Sequence, residues 1–167
     1  MNDRFKQLYD EIVGPPQPSY ERLQAMIREL RGMGNISDEL LEALEEQYSL
    51  KNWGGLFRLF GILYSSPDKR YIPILCEMLD AHKDKGIAEN VVDILDVIQD
   101  ERSVPCLARS IDYYEPGDED RYLNRKVIYA LSRIGTPEAV EAIRGARENE
   151  DENIRTAAIE ELSKHRQ

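Results

Sequence analysis

Apolar residues recur along most of the chain at the three- and four-residue spacing of an amphipathic helix. No segment shows the sustained alternation of apolar and polar positions that marks a half-buried strand. Phe5, Leu8 and Ile12 form the first stripe. They predict a helix over residues 3–13, which the prolines within residues 14–18 end because proline lacks a backbone donor. The pattern as a whole predicts an all-α protein.

Two further helices are predicted before residue 50. Ser19 is placed to cap the first of them, since a serine oxygen can accept a hydrogen bond from a free backbone N–H at a helix start. Gly32 and Gly34 end that helix, and Ser37 is placed to cap the next. We predict that residues 1–50 form an N-terminal helical cap or degenerate repeats.

The remainder, residues 51–167, is repetitive. Apolar stripes begin at Ile87, Leu123 and Ile154, which are 36 and 31 residues apart. Polar residues interrupt the last stripe, as expected of a terminal repeat whose outer face meets water. A period of this length with two helices per unit indicates an alpha-solenoid, because one helix pair is too small to bury its own apolar face. We therefore predict one continuous domain of stacked helix pairs.

A corner between two predicted helices lies at residues 130–140. Gly135 can end one helix in the left-handed conformation, and Pro137 fits the first turn of the next. This corner resembles that of HEAT repeats, in particular the short bacterial type found in phycobilin-lyase proteins, and residues 153–158 are similar to the start of the second helix in that repeat. The resemblance covers roughly residues 52–165. It implies an alpha-alpha superhelix whose second helices line the concave side.

The chain has 32 acidic and 22 basic residues, a formal net charge of −10. Binding to a phosphate backbone requires clustered Lys and Arg, so the composition argues against nucleic acid as a partner. An acidic surface attracts basic molecules over distance. We therefore expect the partner to be another protein, and a basic one.

No pattern of catalytic or metal-binding residues stands out. The two histidines, His82 and His165, lie near predicted helix ends and have no His-x-x-x-His spacing. Cys76 and Cys106 are 30 residues apart within apolar stripes, where we predict free thiols that pack as small hydrophobes. We predict a protein that is not an enzyme and carries neither a cofactor nor a metal.

The N-terminus lacks the charged and then apolar pattern of a signal peptide. The longest apolar stretch, residues 56–63, contains Arg58 and is far too short to cross a bilayer. We therefore expect a cytoplasmic protein without a membrane partner.

The first candidate binding surface follows from the predicted second helices, which span residues 87–99, 120–134 and 151–165. Positions opposite their apolar stripes should form a partner-binding face, with Asp93, Tyr129 and Glu160 side by side. The residues predicted for this face are Glu89, Asp93, Asp96, Arg125, Tyr129 and Glu160.

The second candidate surface is the loop over residues 112–120, which is longer than the matching connections and joins two tyrosines to an acidic run. Such insertions often carry recognition, although the acidic residues can equally cap the next helix. The residues predicted here are Tyr113, Tyr114, Asp118 and Glu119. An aromatic cluster is instead predicted to pack the first repeat against the N-terminal helices; it consists of Trp53, Phe57, Phe60 and Tyr64.

The favoured hypothesis is a non-catalytic protein-interaction module that binds a basic partner through an acidic concave surface. One version is an immunity protein that neutralises a basic toxin, since small HEAT-like proteins occur in that class. The alternative is an accessory or chaperone-like subunit resembling phycobilin lyase. A HEAT-like DNA glycosylase is a third hypothesis, which the acidic charge disfavours. The sequence leaves the oligomeric state open.

Overall fold

The computed structural model describes residues 3–81, 86–113 and 120–165. Within these ranges the chain is built from ten α-helices and has no strand, which confirms the all-α prediction. Two short 3-10 turns precede the fifth and seventh helices. The helices are α1 (Asp3–Val13), α2 (Tyr20–Gly32), α3 (Ser37–Ser49), α4 (Trp53–Ser65), α5 (Ile72–Ala81), α6 (Ile87–Ile98), α7 (Val104–Ser110), α8 (Tyr122–Ile134), α9 (Pro137–Ala146) and α10 (Glu152–Lys164).

The chain divides into two compact units, residues 1–71 and residues 72–167. The first unit contains α1 to α4 and the second contains α5 to α10. The division predicted at residue 50 assigned α4 to the repeats, whereas α4 packs within the first unit.

In the first unit, α1 packs against α2 and α4, and α3 packs against α4. Ser19 caps α2 as predicted, because its Oγ accepts a hydrogen bond from the backbone N–H of Arg22 at 3.2 Å. The predicted cap at Ser37 is wrong. Ile36 occupies the cap position of α3, and Ser37 is already helical.

The aromatic residues of α4 do not form one packed cluster. Phe60 is buried as predicted, but Phe57 and Tyr64 are 44% and 53% exposed. These two residues are seven positions apart, so they share one side of the helix. The prediction that all four aromatic residues pack inward is therefore wrong for this side of α4.

A polar network fills the corner between α3 and α4. The amide of Gln47, which is 3% exposed, donates to the Tyr9 hydroxyl at 2.5 Å, and the Asn52 amide donates to Gln47 Oε1 at 2.6 Å. Asn52 also caps α4 by accepting from the backbone N–H of Gly55. A Cβ at Gly55 would lie 2.6 Å from Gln47 Oε1. The network therefore leaves no room for a side chain at this position.

The second unit consists of two helical layers. α5, α7 and α9 pack side by side in one layer, and α6, α8 and α10 pack side by side in the other. The pairs α5–α6, α7–α8 and α9–α10 each span both layers. This arrangement is the stacked-pair architecture of an alpha-solenoid, as predicted.

The corner between α8 and α9 has the geometry expected from its residues. Gly135 ends α8 with φ of 67°, in the left-handed region that glycine tolerates. Pro137 occupies the first position of α9, and Thr136 Oγ1 accepts a hydrogen bond from the backbone N–H of Ala139 at 3.2 Å. The predicted corner is confirmed.

The cysteines are not free thiols, so that prediction is wrong. Cys76 in α5 and Cys106 in α7 form a disulfide, with their Cα atoms 5.5 Å apart. The reason is the repeat itself. Cys76 lies midway along α5 and Cys106 lies in the first turn of α7, and these two helices pack side by side in one layer.

The polar residues that interrupt the last stripe, Glu161 and His165, behave differently from each other. His165 is exposed, as expected at a terminal repeat, and its Nε2 lies 2.9 Å from Ser132 Oγ. Glu161 is only 4% exposed and accepts a bond from Lys164 Nζ at 2.5 Å. The prediction that both positions meet water is therefore wrong for Glu161.

Two glycines of α4 offer a matched test of the polar network. Gly55→Ala should lower the free energy of unfolding by about 1–3 kcal/mol, because the added methyl displaces Gln47 and Asn52. Gly61→Ala should raise it by about 0.5–1 kcal/mol, because that position is open and alanine favours a helix. Urea titration of both variants would measure this. Equal effects at the two positions would contradict a packed corner.

Candidate protein-binding site

Two of the carboxylates predicted on the second helices are paired with cations of the neighbouring helix in the same layer. Asp93 Oδ2 on α6 lies 2.8 Å from Lys126 Nζ on α8. Asp96 Oδ2 lies 2.6 Å from Arg133 Nη1 on the same helix. These ion pairs join one repeat to the next and neutralise two of the acidic groups predicted to meet a partner.

Burial affects these two pairs differently. Burial is the largest single effect on the pKa of Lys126 and would lower it, but the hydrogen bond to Asp93 and the charges of Asp93 and its neighbours together raise the pKa. Burial raises the pKa of Asp96 against the opposing effect of Arg133. Asp96 Oδ1 is buried, and no described residue gives it a hydrogen bond. Asp96 therefore belongs to the packing between helices more than to a surface open to a partner.

A groove of about 380 Å³ lies between α8 and α10. Tyr129 is half-buried in it, and Lys164 Nζ lies 6.0 Å from the centre of the Tyr129 ring. A hydrogen bond to Tyr129 raises the pKa of Arg125 on the same helix. The groove therefore combines an aromatic ring with charges of both signs; its lining residues are Tyr129, Arg133, Glu160, Glu161 and Lys164.

The structure brings the predicted residues of the first surface onto adjacent helices. Tyr129 and Glu160 line the same groove, as expected, and Asp93 contacts Lys126, one turn before Tyr129. Ser132, three residues after Tyr129 on α8, is only 7% exposed, and its Oγ is hydrogen-bonded to His165. We refer to the α6–α8–α10 side that carries these groups as the inner face; its ionisable residues are Glu89, Asp93, Asp96, Arg125, Lys126, Arg133, Glu160, Glu161 and Lys164.

Sequence reasoning missed the cations Lys126, Arg133 and Lys164. The signal was present, since Lys126 follows Asp93 by 33 residues and Arg133 follows Asp96 by 37, close to the repeat period. Residues one period apart are neighbours on adjacent helices of a layer. A comparison of acidic and basic positions one repeat period apart would have predicted ion pairs between the helices instead of an acidic strip.

The inner face is close to neutral, since its ionisable residues are five acids and four bases. The second unit as a whole contains 21 acidic and 13 basic residues, a net charge of −8. Most of the excess negative charge of this unit is therefore carried outside the inner face.

The second predicted surface is described only in part. Tyr114, Asp118 and Glu119 lie outside the described residues. Asp112 is exposed and accepts a hydrogen bond from the Asn149 amide at 2.6 Å, whereas Tyr113 is half-buried. A cavity of about 430 Å³ lies beside them, lined by Asp112, Tyr113, Arg121, Asn149, Glu150, Asp151 and Ile154.

Buried side chains hold the backbone around this cavity. The Asn124 amide, which is 2% exposed, donates to the carbonyls of Ile111 and Tyr113 at 2.6 and 2.8 Å. Arg121 Nε donates to Asp151 Oδ2 at 2.6 Å. This bond and the backbone N–H groups at the start of α10 lower the pKa of Asp151. The loop ends are therefore fixed to α8 and α10.

The described residues contain no group of three or more His, Cys, Asp or Glu side chains that could hold a metal ion. His82 lies outside the described residues, and His165 contacts Ser132 as given above. No helix in the part of the chain that the structure describes is both long and apolar enough to cross a membrane.

Residues 115–167 match the family model described as HEAT repeats. Over these residues the chain is similar to HEAT repeats. The match takes in α8, α9 and α10, and therefore the groove at Tyr129 and the corner at Gly135. No curated protein matches the chain. HEAT repeats generally mediate protein–protein interaction, so the inner face of these repeats is a candidate site for a protein partner.

The bond between Arg121 and Asp151 gives a pH-dependent prediction. The pKa of Asp151 is lower in the folded protein than in the unfolded chain, so its contribution to stability is present above the unfolded pKa and is lost as pH falls through the folded pKa. Asp151→Asn should lower the free energy of unfolding at pH 7 by about 1 kcal/mol, since it removes the charge at the start of α10.

The difference between wild type and Asp151→Asn should narrow as the pH falls below about 4. Chemical unfolding at several pH values would measure it. The control is Glu148→Gln, which removes a negative charge at an exposed position before α10. It should change the free energy of unfolding little at any pH. A difference that persists unchanged at low pH would show that Asp151 acts through packing and not through charge.

Proposed function

We propose that this chain is a non-catalytic HEAT-repeat module that binds a partner protein on the inner face. The observation that carries the proposal is the groove at Tyr129, between two helices of the matched repeats. A half-buried tyrosine bordered by charged residues has the composition of an interface centre, where aromatic side chains supply contact area and a polar rim supplies specificity.

The proposed partner is a basic protein. The second unit carries a net charge of −8, which favours attraction of a basic molecule over distance and accelerates encounter. On the inner face itself, Glu160 is exposed and the Asp93 side chain is 42% exposed, so both can still meet Lys or Arg of a partner. In this proposal, the negative charge around the inner face attracts the partner during its approach, and the groove at Tyr129 provides the central contact of the complex.

One form of this function is the neutralisation of a basic toxin in the bacterial cytoplasm, as an immunity protein does. A basic nuclease must expose a cationic groove for its substrate, and an acidic repeat protein can cover such a groove. The net charge of the second unit supports this form of the proposal.

The ion pairs decide which residues test the proposal best. Removing Asp93 or Asp96 would leave Lys126 or Arg133 without its carboxylate and would disturb the contact between α6 and α8. Loss of binding in such variants would not distinguish an interface from a packing defect. Tyr129 and Glu160 are more direct probes because they line the open groove.

Capture by the tagged protein from a lysate of its source organism, washed at low and at high salt, should identify the partner. Affinities of purified variants then test the site. Tyr129→Ala should weaken binding at least about tenfold, as expected when an aromatic anchor is truncated. Glu89→Lys combined with Glu160→Lys should weaken it further and reduce its dependence on salt.

The matched control is Glu77→Lys combined with Glu148→Lys, which changes the net charge equally at exposed positions outside the inner face. This control should retain most of the affinity. If the control loses as much binding as the inner-face variant while Tyr129→Ala binds normally, the inner face is not the interface. Circular dichroism of every variant would verify that the helices remain folded.

A further inference from the structure

The disulfide between Cys76 and Cys106 lies within the layer of the second unit that is formed by α5, α7 and α9. It joins α5 to α7, the first helices of two consecutive pairs. The two cysteines are 30 residues apart, so the bond closes a loop that contains all of α6. A covalent link of this kind restricts the unfolded chain and stabilises the folded one.

The helix that depends most on this link is α7. It has seven residues, the fewest of any α-helix in the described part of the chain. A helix of this length has little stability of its own, because the cost of forming its first turn is not recovered over so few residues. Its position must therefore come from packing and from the bond at Cys106.

The chain leaves α7 directly into the second candidate surface. Ile111 and Tyr113, whose carbonyls accept the bonds of Asn124, follow α7 immediately, and Asp112 lies between them. A loss of order in α7 would therefore also disturb the backbone of residues 111–113 beside the cavity at Asp112.

We propose that Cys76 and Cys106 form a reversible redox-modification site, whose bond controls the order of α7 and of residues 111–113. The exchange partner is a small thiol of the glutathione class. This inference is independent of the proposed function, since it concerns the layer formed by α5, α7 and α9 and holds whichever face binds a protein.

The difference in burial between the two cysteines decides which sulfur the small thiol attacks first. Cys76 is partly exposed, whereas Cys106 is 1% exposed. A glutathione thiolate attacks Cys76 Sγ, the disulfide breaks, and Cys106 leaves as a thiolate that takes a proton. A second glutathione thiolate then attacks the glutathione sulfur of the mixed disulfide. The products are two protein thiols and one glutathione disulfide, and oxidation follows the same steps in reverse.

The full-length protein should be equilibrated in buffers that range from reduced to oxidised glutathione, then alkylated and weighed by mass spectrometry. As the buffer becomes more oxidising, we expect the number of free protein thiols to fall from two to zero in a single transition. In the variant Cys106→Ser, oxidised glutathione should form a mixed disulfide with Cys76. The matched variant Cys76→Ser should remain largely unmodified while folded, because Cys106 is buried.

Hydrogen exchange tests the structural consequence. In wild type, reduction should increase the exchange rate of α7 and residues 111–113 at least about tenfold, whereas α9 and α10 should change little. The double variant Cys76→Ser with Cys106→Ser should exchange alike in both buffers. Circular dichroism would verify its fold, and the comparison of reduced with oxidised wild type needs no variant.

Three results would overturn the proposal. Both thiols could stay free in oxidised glutathione, Cys106→Ser and Cys76→Ser could be modified equally fast, or α7 could exchange at the same rate in both buffers. None of these results would alter partner binding at Tyr129, so the two proposals fail separately.

Discussion

The stacking of the second unit rests on apolar surface that a single helix pair cannot bury. Val91 and Leu95 on α6, Val127 and Leu131 on α8, and Ala158 on α10 are all fully buried. Burial of each large side chain stabilises the fold by about 1.5–3 kcal/mol, far more than an exposed ion pair does. The apolar stripes therefore decide which helices become neighbours, and the polar contacts form where that packing places them.

On the inner face, too, apolar packing sets the positions of the helices and the ion pairs follow from those positions. Because α6 and α8 pack along their stripes, Asp93 lies against Lys126 and Asp96 against Arg133. These carboxylates became partners of a neighbouring helix because they are about one repeat away from a cation, and each therefore has part of its charge neutralised within the stack. The groove at Tyr129 remains open between α8 and α10, which pack side by side.

The same periodicity explains the disulfide in the other layer. The first helices of two consecutive pairs, α5 and α7, pack side by side, and each carries one cysteine. Neither cysteine has a special local sequence, and each stripe taken alone is that of an ordinary core helix. Their pairing is a property of the stack. It places a covalent link beside α7, the helix with the least capacity to hold itself in place.

Local sequence was sufficient for most features that depend on neighbours along the chain, although the cap predicted at Ser37 is an exception. The helices, the cap at Ser19, the corner at Gly135 and Pro137 and the stacked-pair class all follow from spacing, proline geometry and the conformational freedom of glycine. Tertiary structure alone decided which charges face solvent, that Cys76 bonds Cys106, that Glu161 is buried and that Phe57 and Tyr64 are exposed. These outcomes depend on residues about 30 positions away or on a neighbouring helix, and the pattern within one helix carries no information about what lies opposite it.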